Sequence, residues 1–184
     1  MSSFEPVRRE VAFRGRVIEA GTEWFLFDDG EEVSRDSVWH PGAVGILAFD
    51  TAHVWLVRQP REVVGLTDSL EIPAGKLDVA GEAPEQCARR ELVEEIGKHA
   101  GRWRELHSFF SSCGFSDERI WLYLATDLSD APDGAVPDDD ERITVVPWPL
   151  AQLDEAVAQT RDSKTLIALL WLKAYLQTNP AETA

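Results

Sequence analysis

The sequence predicts an α/β protein with a layered core, preceded by a small N-terminal antiparallel β unit. Strand-like and helix-like patterns are mixed along residues 42–177, which favours layers of helices on a sheet. Before them, apolar and polar residues alternate through most of the first forty positions. A length of 184 residues fits one main domain with a small appendage. We therefore expect a β unit over residues 1–41 and a main domain over residues 42–184.

Composition and charge exclude several classes of protein. Hydrophobic residues make up 44% and charged residues 28% of the chain, as in ordinary globular domains. Thirty-three acidic against 18 basic residues give a formal net charge of −15, which repels nucleic acid and anionic membranes. The two cysteines, Cys87 and Cys113, are too few for a disulfide framework. No apolar segment is typical of a signal peptide or a membrane span. We expect a cytoplasmic protein.

The N-terminal unit is predicted to contain three strands. Alternation runs through residues 7–20 and 23–27, and an Asp-Asp-Gly turn at residues 28–30 precedes a third strand over residues 31–39. Three short strands bury little apolar surface by themselves. Such a unit must dock on its own core or on a partner chain, and we expect it to form a homodimer contact.

The main domain is predicted to contain six strands and three helices. The predicted strands are residues 42–49, 53–59, 70–72, 103–111, 119–126 and 143–148. The predicted helices are residues 84–96, 150–159 and 163–177. An acidic loop with proline and glycine covers residues 127–141. The first helix has clear ends, because Pro84 suits a first turn and Gly97 suits the position just after the last turn.

Acidic residues form a pattern on that first helix. Glu91 and Glu95 are spaced i,i+4 and so share one face, where like charges cost roughly 0.2–0.5 kcal/mol unless a cation lies between them. Hard divalent cations bind carboxylate oxygens readily. Glu94 lies beside this pair, and Arg90 is placed to form an ion pair with Glu94. These residues alone fit a metal site and a solvated acidic face equally well.

A longer segment around this helix resembles the signature of the Nudix hydrolases. That signature is Gly, five residues, Glu, seven residues, Arg-Glu-apolar, any, Glu-Glu, any, Gly, apolar. Its seven fixed identities are present here as Gly75, Glu82, Arg90, Glu91, Glu94, Glu95 and Gly97. Two departures occur in this signature segment (residues 75–98). Six residues, not five, separate Gly75 from Glu82, and Lys98 replaces the closing apolar residue.

Further segments resemble the branch of ADP-ribose pyrophosphatases and related nucleotide-sugar hydrolases. They are residues 40–44, 57–61, 71–75, 114–118 and 162–165. The resemblance implies a Nudix-type α/β/α sandwich, a homodimer joined through the N-terminal strands, and hydrolysis of ADP-ribose to AMP and ribose 5-phosphate.

Other functions stay open at this point. Cys113 stands where ADP-ribose hydrolases typically have proline, so a hydrolase of another nucleoside diphosphate sugar, such as an ADP- or GDP-hexose, is the first alternative. A non-catalytic sensor of nucleotide sugars and a hydrolase of oxidised nucleoside triphosphates are the others.

The resemblance also implies a set of catalytic and metal-binding residues. Glu91, Glu95 and the main-chain carbonyl of Ala74 would bind Mg²⁺ or Mn²⁺, with Glu94 as a further ligand and catalytic group. In this branch the general base lies on a mobile loop, which corresponds here to residues 138–142. Glu141 is the preferred base and Asp139 the second candidate.

Substrate contacts follow from the same resemblance. Arg61 would contact phosphate, as the guanidinium fork suits phosphate oxygens, and Arg58 is a weaker candidate. Glu71 belongs to the same set. Four residues of the 114–118 segment would shape the pocket near the terminal ribose, or support the turn after the glycine: Gly114, Ser116, Asp117 and Glu118.

Overall fold

The computed structural model describes residues 2–132 and 142–179. Within those residues, ten strands are formed: β1 (Phe4–Arg14), β2 (Glu19–Phe27), β3 (Glu32–Trp39), β4 (Ala43–Phe49), β5 (His53–Arg61), β6 (Leu66–Glu71), β7 (Ala74–Lys76), β8 (Lys98–Phe110), β9 (Arg119–Asp130) and β10 (Thr144–Pro149). The helices are α1 (Pro84–Ile96), α2 (Leu153–Gln159) and α3 (Ser163–Thr178). Single 3₁₀ turns occupy Glu62–Val64 and Leu150–Gln152.

The chain divides into two compact units. The first contains Met1–Gly42 and Phe109–Arg119, and the second contains Ala43–Ser108 and Ile120–Ala184. Backbone hydrogen bonds fasten the inserted segment to β3, since Val38 N donates to Phe115 O at 2.7 Å and Asp117 N donates to Val38 O at 3.1 Å. The boundaries expected from the sequence, 1–41 and 42–184, assign this segment to the main domain, and its hydrogen-bond partners in β3 are distant along the chain.

The first unit is an antiparallel sheet in the order β1-β2-β3. The single strand predicted over residues 7–20 is wrong, because the chain turns between β1 and β2 and Gly15 N donates to Ile18 O at 2.8 Å. The alternation of apolar and polar residues continues through this turn. Periodicity alone therefore gave no sign of the reversal.

Strand β1 lies on the surface of this unit. Its described side chains are almost all exposed. Two of its arginines form cation–π contacts with β2 and β3: the Arg8 guanidinium lies 3.7 Å from the Trp24 ring centre, and that of Arg9 lies 3.6 Å from the Trp39 ring centre. Three large apolar side chains of β1 are exposed: Phe4, Val7 and Phe13. The sheet thus has little buried core of its own.

The second unit is built on a seven-stranded sheet. Its main order is β10-β5-β4-β9-β8, with β6 paired to β5 and β7 paired to β4. Strand β4 runs parallel to β9 and antiparallel to β5 and β7. Strand β7, where the signature segment begins, is therefore paired with β4. Strand β4 passes through the centre of the core.

Helices cover both faces of this sheet. On one face Val44, Ile46 and Ala48 pack with Ala88 and Leu92 of α1. The opposite side of β4 meets α3, and the ring centres of Phe49 and Tyr175 are 6.3 Å apart. Alternate residues of β4 therefore face alternate helical layers, as expected for a buried strand. The predicted α/β/α sandwich is confirmed.

Helix α1 has the predicted bounds. Pro84 is its first residue, and Gly97 ends it in the left-handed conformation with φ of 65°, which glycine adopts without strain. The turn before it lies at residues 79–82, where Glu82 N donates to Val79 O at 3.1 Å and Gly81 has φ of 83°. The residue that lengthens the signature segment falls between Gly75 and Glu82, in the stretch that contains this turn.

Helix α3 closes the described chain. The Asp162 carboxylate caps it by accepting a hydrogen bond from Thr165 N at 2.9 Å. One face is buried against the sheet, whereas Leu166, Ile167 and Leu170 are exposed. Among the described helices, α3 included, none combines the length and hydropathy that a membrane crossing requires.

Candidate active site

Glu91 and Glu95 lie on the buried side of α1. Their residues are 8% and 2% exposed, and Glu95 Oε2 accepts a hydrogen bond from Ala74 N at 3.0 Å. The i,i+4 spacing brings both carboxylates to the same side of the helix, next to β7. Burial of two carboxylates one turn apart costs free energy and is rare without compensation.

Gly75 allows this close approach. A Cβ atom at position 75 would lie 2.0 Å from both Cδ and Oε1 of Glu91, which is an impossible contact. The Glu91 carboxyl group therefore occupies the space that any other residue would fill. Gly75 is therefore required by packing and not by an unusual backbone angle.

Arg90 binds three glutamates at once. Arg90 Nε lies 3.1 Å from Glu82 Oε1, and Arg90 Nη1 lies 2.8 Å from Glu91 Oε1 and 2.6 Å from Glu94 Oε2. The hydrogen bond to Glu82, followed by the charges of Glu91 and Glu94, raises the pKa of Arg90 above its usual range. We call these four residues the Arg90 cluster. It contains three carboxylates and one guanidinium, and the predicted Arg90–Glu94 pair is confirmed.

The donor set near Gly75 fits a hard divalent cation. The two buried carboxylates, Glu91 and Glu95, lie beside Gly75 and β7, and such oxygen donors suit Mg²⁺ or Mn²⁺. Over residues 2–132 and 142–179, no three His, Cys, Asp or Glu side chains converge as a metal-binding group. Arg90 is bound to Glu91 and Glu94 in this arrangement. The assignment of Ala74, Glu91, Glu94 and Glu95 as ligands stays a prediction.

Glu94 lines a pocket between α1 and the start of β8. This pocket has a volume of about 430 Å³ and is lined by Arg89, Arg90, Val93, Glu94, His99, Ala100 and Trp103. The Arg89 guanidinium lies 4.9 Å from the Trp103 ring centre. Glu94 is thus more accessible than Glu91 and Glu95. A direct bond from Glu94 to a metal ion requires a different geometry from that of Glu91 and Glu95.

Lys98 replaces an apolar residue without leaving its charge unpaired. Its Nζ lies 2.5 Å from Asp130 Oδ1 and 4.2 Å from the ring centre of Trp55. The aliphatic part of lysine can pack while the ammonium reaches solvent or an ion pair. The departure at the end of the signature segment is therefore accommodated locally.

Arg61 forms a bidentate pair with the buried Glu71. Nε and Nη2 of Arg61 each donate to a Glu71 oxygen at 2.7 Å, and Lys164 Nζ donates to Glu71 Oε2 at 2.7 Å. Glu71 is 1% exposed. Burial raises its pKa, but the hydrogen bonds and charges of Arg61 and Lys164 outweigh burial and lower the pKa to about 2.

Asp162 completes this set of charges, since Lys164 Nζ lies 3.0 Å from Asp162 Oδ1. We call Arg61, Glu71, Asp162 and Lys164 the Glu71 cluster. Sequence reasoning placed Arg61 and Glu71 among the substrate contacts but gave Asp162 and Lys164 no role. The aspartate was detectable as a helix cap, whereas nothing in the sequence signals that Lys164 is buried.

Arg58, the weaker phosphate candidate, has other partners. Its Nη1 donates to Asp68 Oδ2 at 2.7 Å and its Nη2 donates to Gln159 Oε1 at 2.8 Å. The two arginines of β5 are therefore held differently. Arg61 also lines an open pocket of about 440 Å³ together with Leu66, Ser69, Arg161 and Ser163.

The 114–118 segment belongs to the first unit and supports a turn there. His40 N donates to Asp117 Oδ1 at 2.7 Å, Glu118 N donates to Ser116 Oγ at 3.1 Å, and Ser111 Oγ donates to Glu118 Oε2 at 2.5 Å. These contacts fit the alternative of turn support. Gly114, Ser116 and Asp117 also line a pocket of about 190 Å³ in the same unit. A ribose contact stays a prediction for all four residues.

The last two predicted site residues are the candidate general bases. Glu141 and Asp139 lie outside the described residues.

Comparison with known proteins identifies the family. The model of the NUDIX domain matches residues 39–170. An ADP-ribose pyrophosphatase of Bacillus subtilis and a methanol dehydrogenase activator of Bacillus methanolicus are each 36% identical over 170 residues, 91% of this chain and of each relative. An ADP-ribose pyrophosphatase of Mycobacterium tuberculosis is 35% identical over 150 residues, 81% of this chain and 72% of that protein.

Structural comparison agrees at the level of the fold. A crystal structure of an ADP compounds hydrolase superposes with a TM-score of 0.80 at 22% identity, covering 96% of this chain and 95% of the other. The signature segment, its buried glutamates and these similarities have one explanation: the chain belongs to the NUDIX family.

Proposed function

We propose that this chain is a metal-dependent pyrophosphohydrolase that cleaves ADP-ribose to AMP and ribose 5-phosphate. The reaction class rests on one observation, the buried Glu91–Glu95 pair of α1 held against Gly75 in a chain of this family. The substrate is inferred from the two relatives that are named ADP-ribose pyrophosphatases. NUDIX hydrolases in general use divalent metals, and the oxygen donors here favour Mg²⁺ or Mn²⁺.

The proposed metal ligands are Glu91, Glu95 and the carbonyl of Ala74, with Glu94 as a further candidate. A bound cation neutralises pyrophosphate charge and lowers the pKa of a coordinated water. The chain's part is to keep Glu91 and Glu95 on a rigid helix. The backbone contact of Glu95 with Ala74 N, at 3.0 Å, fixes the second of these carboxylates beside β7.

Glu141 is the proposed general base, with Asp139 as the second candidate. The Glu141→Gln change should lower kcat with little effect on metal affinity, since a base acts on water rather than on the metal. Rate measurements and metal titrations of Glu141→Gln and Asp139→Asn separate the two. If Asp139→Asn does the greater damage to kcat, the roles are to be exchanged.

Arg61 is the proposed contact for substrate phosphate. Its guanidinium is held by Glu71 on one edge and lines an open pocket, a geometry that suits a phosphate oxygen on the remaining edge. Arg58, Glu71 and the residues Gly114, Ser116, Asp117 and Glu118 are the other proposed substrate-site residues. The partners of Arg58 and Glu71 favour a supporting role for both.

A homodimer in the cytoplasm, without nucleic-acid or membrane partners, completes the proposal. The exposed apolar side chains of β1 support self-association through the first unit. The net charge of −15 supports the absence of nucleic acid. Analytical ultracentrifugation of the wild type and of a Phe4→Ser, Phe13→Ser double variant tests the dimer, which should dissociate in the variant.

The function is tested by a substrate panel. Purified protein with Mg²⁺ is offered ADP-ribose, ADP-glucose, GDP-mannose and an oxidised deoxynucleoside triphosphate, and the products are separated by chromatography. AMP and ribose 5-phosphate should appear fastest, and Glu95→Gln purified in parallel should lower that activity by about a hundredfold or more. A preference for a hexose would favour the alternative that Cys113 keeps open. Binding without cleavage would instead indicate a sensor.

A further inference from the structure

We propose that Lys164 and Asp162 are positioning residues that fix the Arg61 guanidinium through Glu71. This inference rests on the proposed function, in which Arg61 contacts substrate phosphate. Lys164 belongs to the first turn of α3 and Asp162 caps that helix, while Arg61 and Glu71 belong to β5 and β6. The contacts that join them all lie within the second unit.

Glu71 is held on both carboxylate oxygens. Oε1 accepts from Arg61 Nε, and Oε2 accepts from both Arg61 Nη2 and Lys164 Nζ, each at 2.7 Å. The side chains of Glu71 and Lys164 are only 2% and 11% exposed, so solvent cannot replace these bonds readily. Rotation of the Glu71 carboxylate would break contacts with two cations at once.

Asp162 anchors the other side of Lys164. Its Oδ1 lies 3.0 Å from Lys164 Nζ, and its Oδ2 accepts from Thr165 N at 2.9 Å and from Thr165 Oγ1 at 2.5 Å. Thr165 Oγ1 in turn accepts from Ile72 N at 2.8 Å. Because Ile72 follows Glu71 in the chain, the contacts form a closed ring between the start of α3 and the end of β6.

This ring fixes the direction of Arg61. The guanidinium is planar, so binding of its Nε and Nη2 edge to Glu71 determines where the Nη1 edge points. The Arg61 side chain is 43% exposed and lines the pocket of about 440 Å³. The cluster has two cations and two carboxylates, and removal of the Lys164 charge would leave an excess of negative charge that alters how Glu71 holds Arg61.

A double-mutant cycle tests whether Lys164 acts through Arg61. Steady-state kinetics with ADP-ribose are measured for wild type, Lys164→Met, Arg61→Ala and the double variant. Lys164→Met should lower kcat/KM about tenfold, mainly by raising KM, but by less than about twofold when Arg61 is already alanine. The matched control is Lys173→Met, at another position of α3, which removes an exposed ion pair with Asp154 of α2 and should change kcat/KM by less than about twofold.

The opposite pattern would overturn the proposal. An equal loss in both backgrounds would show that Lys164 supports the fold without acting through Arg61, and an unchanged KM in Lys164→Met would show that the ring does not position the guanidinium. Asp162→Asn serves as a second variant if Lys164→Met fails to fold. Asparagine can still cap α3, while the charge that faces Lys164 is removed.

A second readout does not depend on catalysis. In a ¹⁵N-arginine spectrum, the Nε–H signal of Arg61 is identified by its loss in Arg61→Ala, and its exchange with water is measured. Exchange should be slow in the wild type and at least about tenfold faster in Lys164→Met or Asp162→Asn. Equal exchange rates would refute the positioning role. A wild type that cleaves no nucleotide sugar would refute the proposed function instead, and the exchange result would still stand.

Discussion

The Glu71 cluster and the Arg90 cluster place glutamates in the same unit under opposite charge conditions. Glu71 has two cations, Arg61 and Lys164, at hydrogen-bond distance and is almost wholly buried. In the Arg90 cluster three carboxylates share one guanidinium, and the buried Glu95 lies on the same helix.

The ratio of carboxylates to cations distinguishes the two clusters. The Glu71 cluster supports the structure, whereas the Arg90 cluster favours binding of a cation. Removal of a buried carboxylate with matched cations destabilises the fold, because it leaves charge without a partner. Carboxylates that outnumber the cations on one rigid helix repel one another, and a divalent cation relieves that repulsion. We therefore expect changes in the Glu71 cluster to act mainly on stability and KM, and changes at Glu91 or Glu95 to act mainly on turnover.

The largest effect is expected for Glu95→Gln. The change keeps the shape and the hydrogen bond from Ala74 N but removes one negative charge from the proposed metal site. We expect kcat/KM to fall by about a hundredfold or more, with the midpoint of urea unfolding little changed. Activity assays and Mn²⁺ titration measure this. Glu85→Gln, at an exposed position of the same helix, is the control, and a wild-type rate in Glu95→Gln would remove Glu95 from the metal site.

A smaller but still large effect is expected for Gly75→Ala. The new Cβ would lie 2.0 Å from the Glu91 carboxyl group, so that group or β7 must move. We expect a loss of about 1–3 kcal/mol in the free energy of unfolding, together with a fall in activity. Chemical denaturation measures the first. For stability alone, Gly114→Ala is the matched control, since a Cβ there meets nothing within 4 Å; equal stability of Gly75→Ala and wild type would contradict the close contact.

The Glu71→Gln change should show a pH-dependent loss of stability. The pKa of Glu71 is about 2 in the folded chain against an ordinary value of 4.5, so its contribution is complete above pH 4.5 and is lost as the pH falls towards 2. We expect the variant to be about 3 kcal/mol less stable at pH 7, with the difference narrowing below pH 4.5. Urea unfolding at pH 7, 5, 4 and 3 measures this. A difference that stays constant with pH would show that the Glu71 charge is not what stabilises the fold.

The smallest effect is expected for Lys98→Leu, which restores the apolar residue usual at the end of the signature segment. It removes the contacts of Lys98 with Asp130 and Trp55 but adds apolar packing, so the change in unfolding free energy should be within about 1 kcal/mol. Activity should be unchanged. A strong loss of turnover would show that Lys98 influences the glutamates of α1.

Local signals made several features predictable. The bounds of α1 followed from Pro84 and Gly97, and the shared face of Glu91 and Glu95 followed from helical geometry. The turn between β1 and β2 was missed because alternation passes through it without a break. The base candidates Glu141 and Asp139 lie outside the described residues, so their placement remains a prediction.

The sequence by itself indicated the reaction class through the resemblance of its signature segment to that of the Nudix hydrolases, and this was possible because the segment covers only one helix and one preceding strand. It also determined the layered fold, through the alternation of strand and helix patterns. Only the tertiary structure decided which charges meet. Glu71 and Lys164 are 93 residues apart, and their contact depends on how α3 packs against β6. The same holds for Gly75, since the need for glycine arises only when the Glu91 side chain from α1 occupies the space above it.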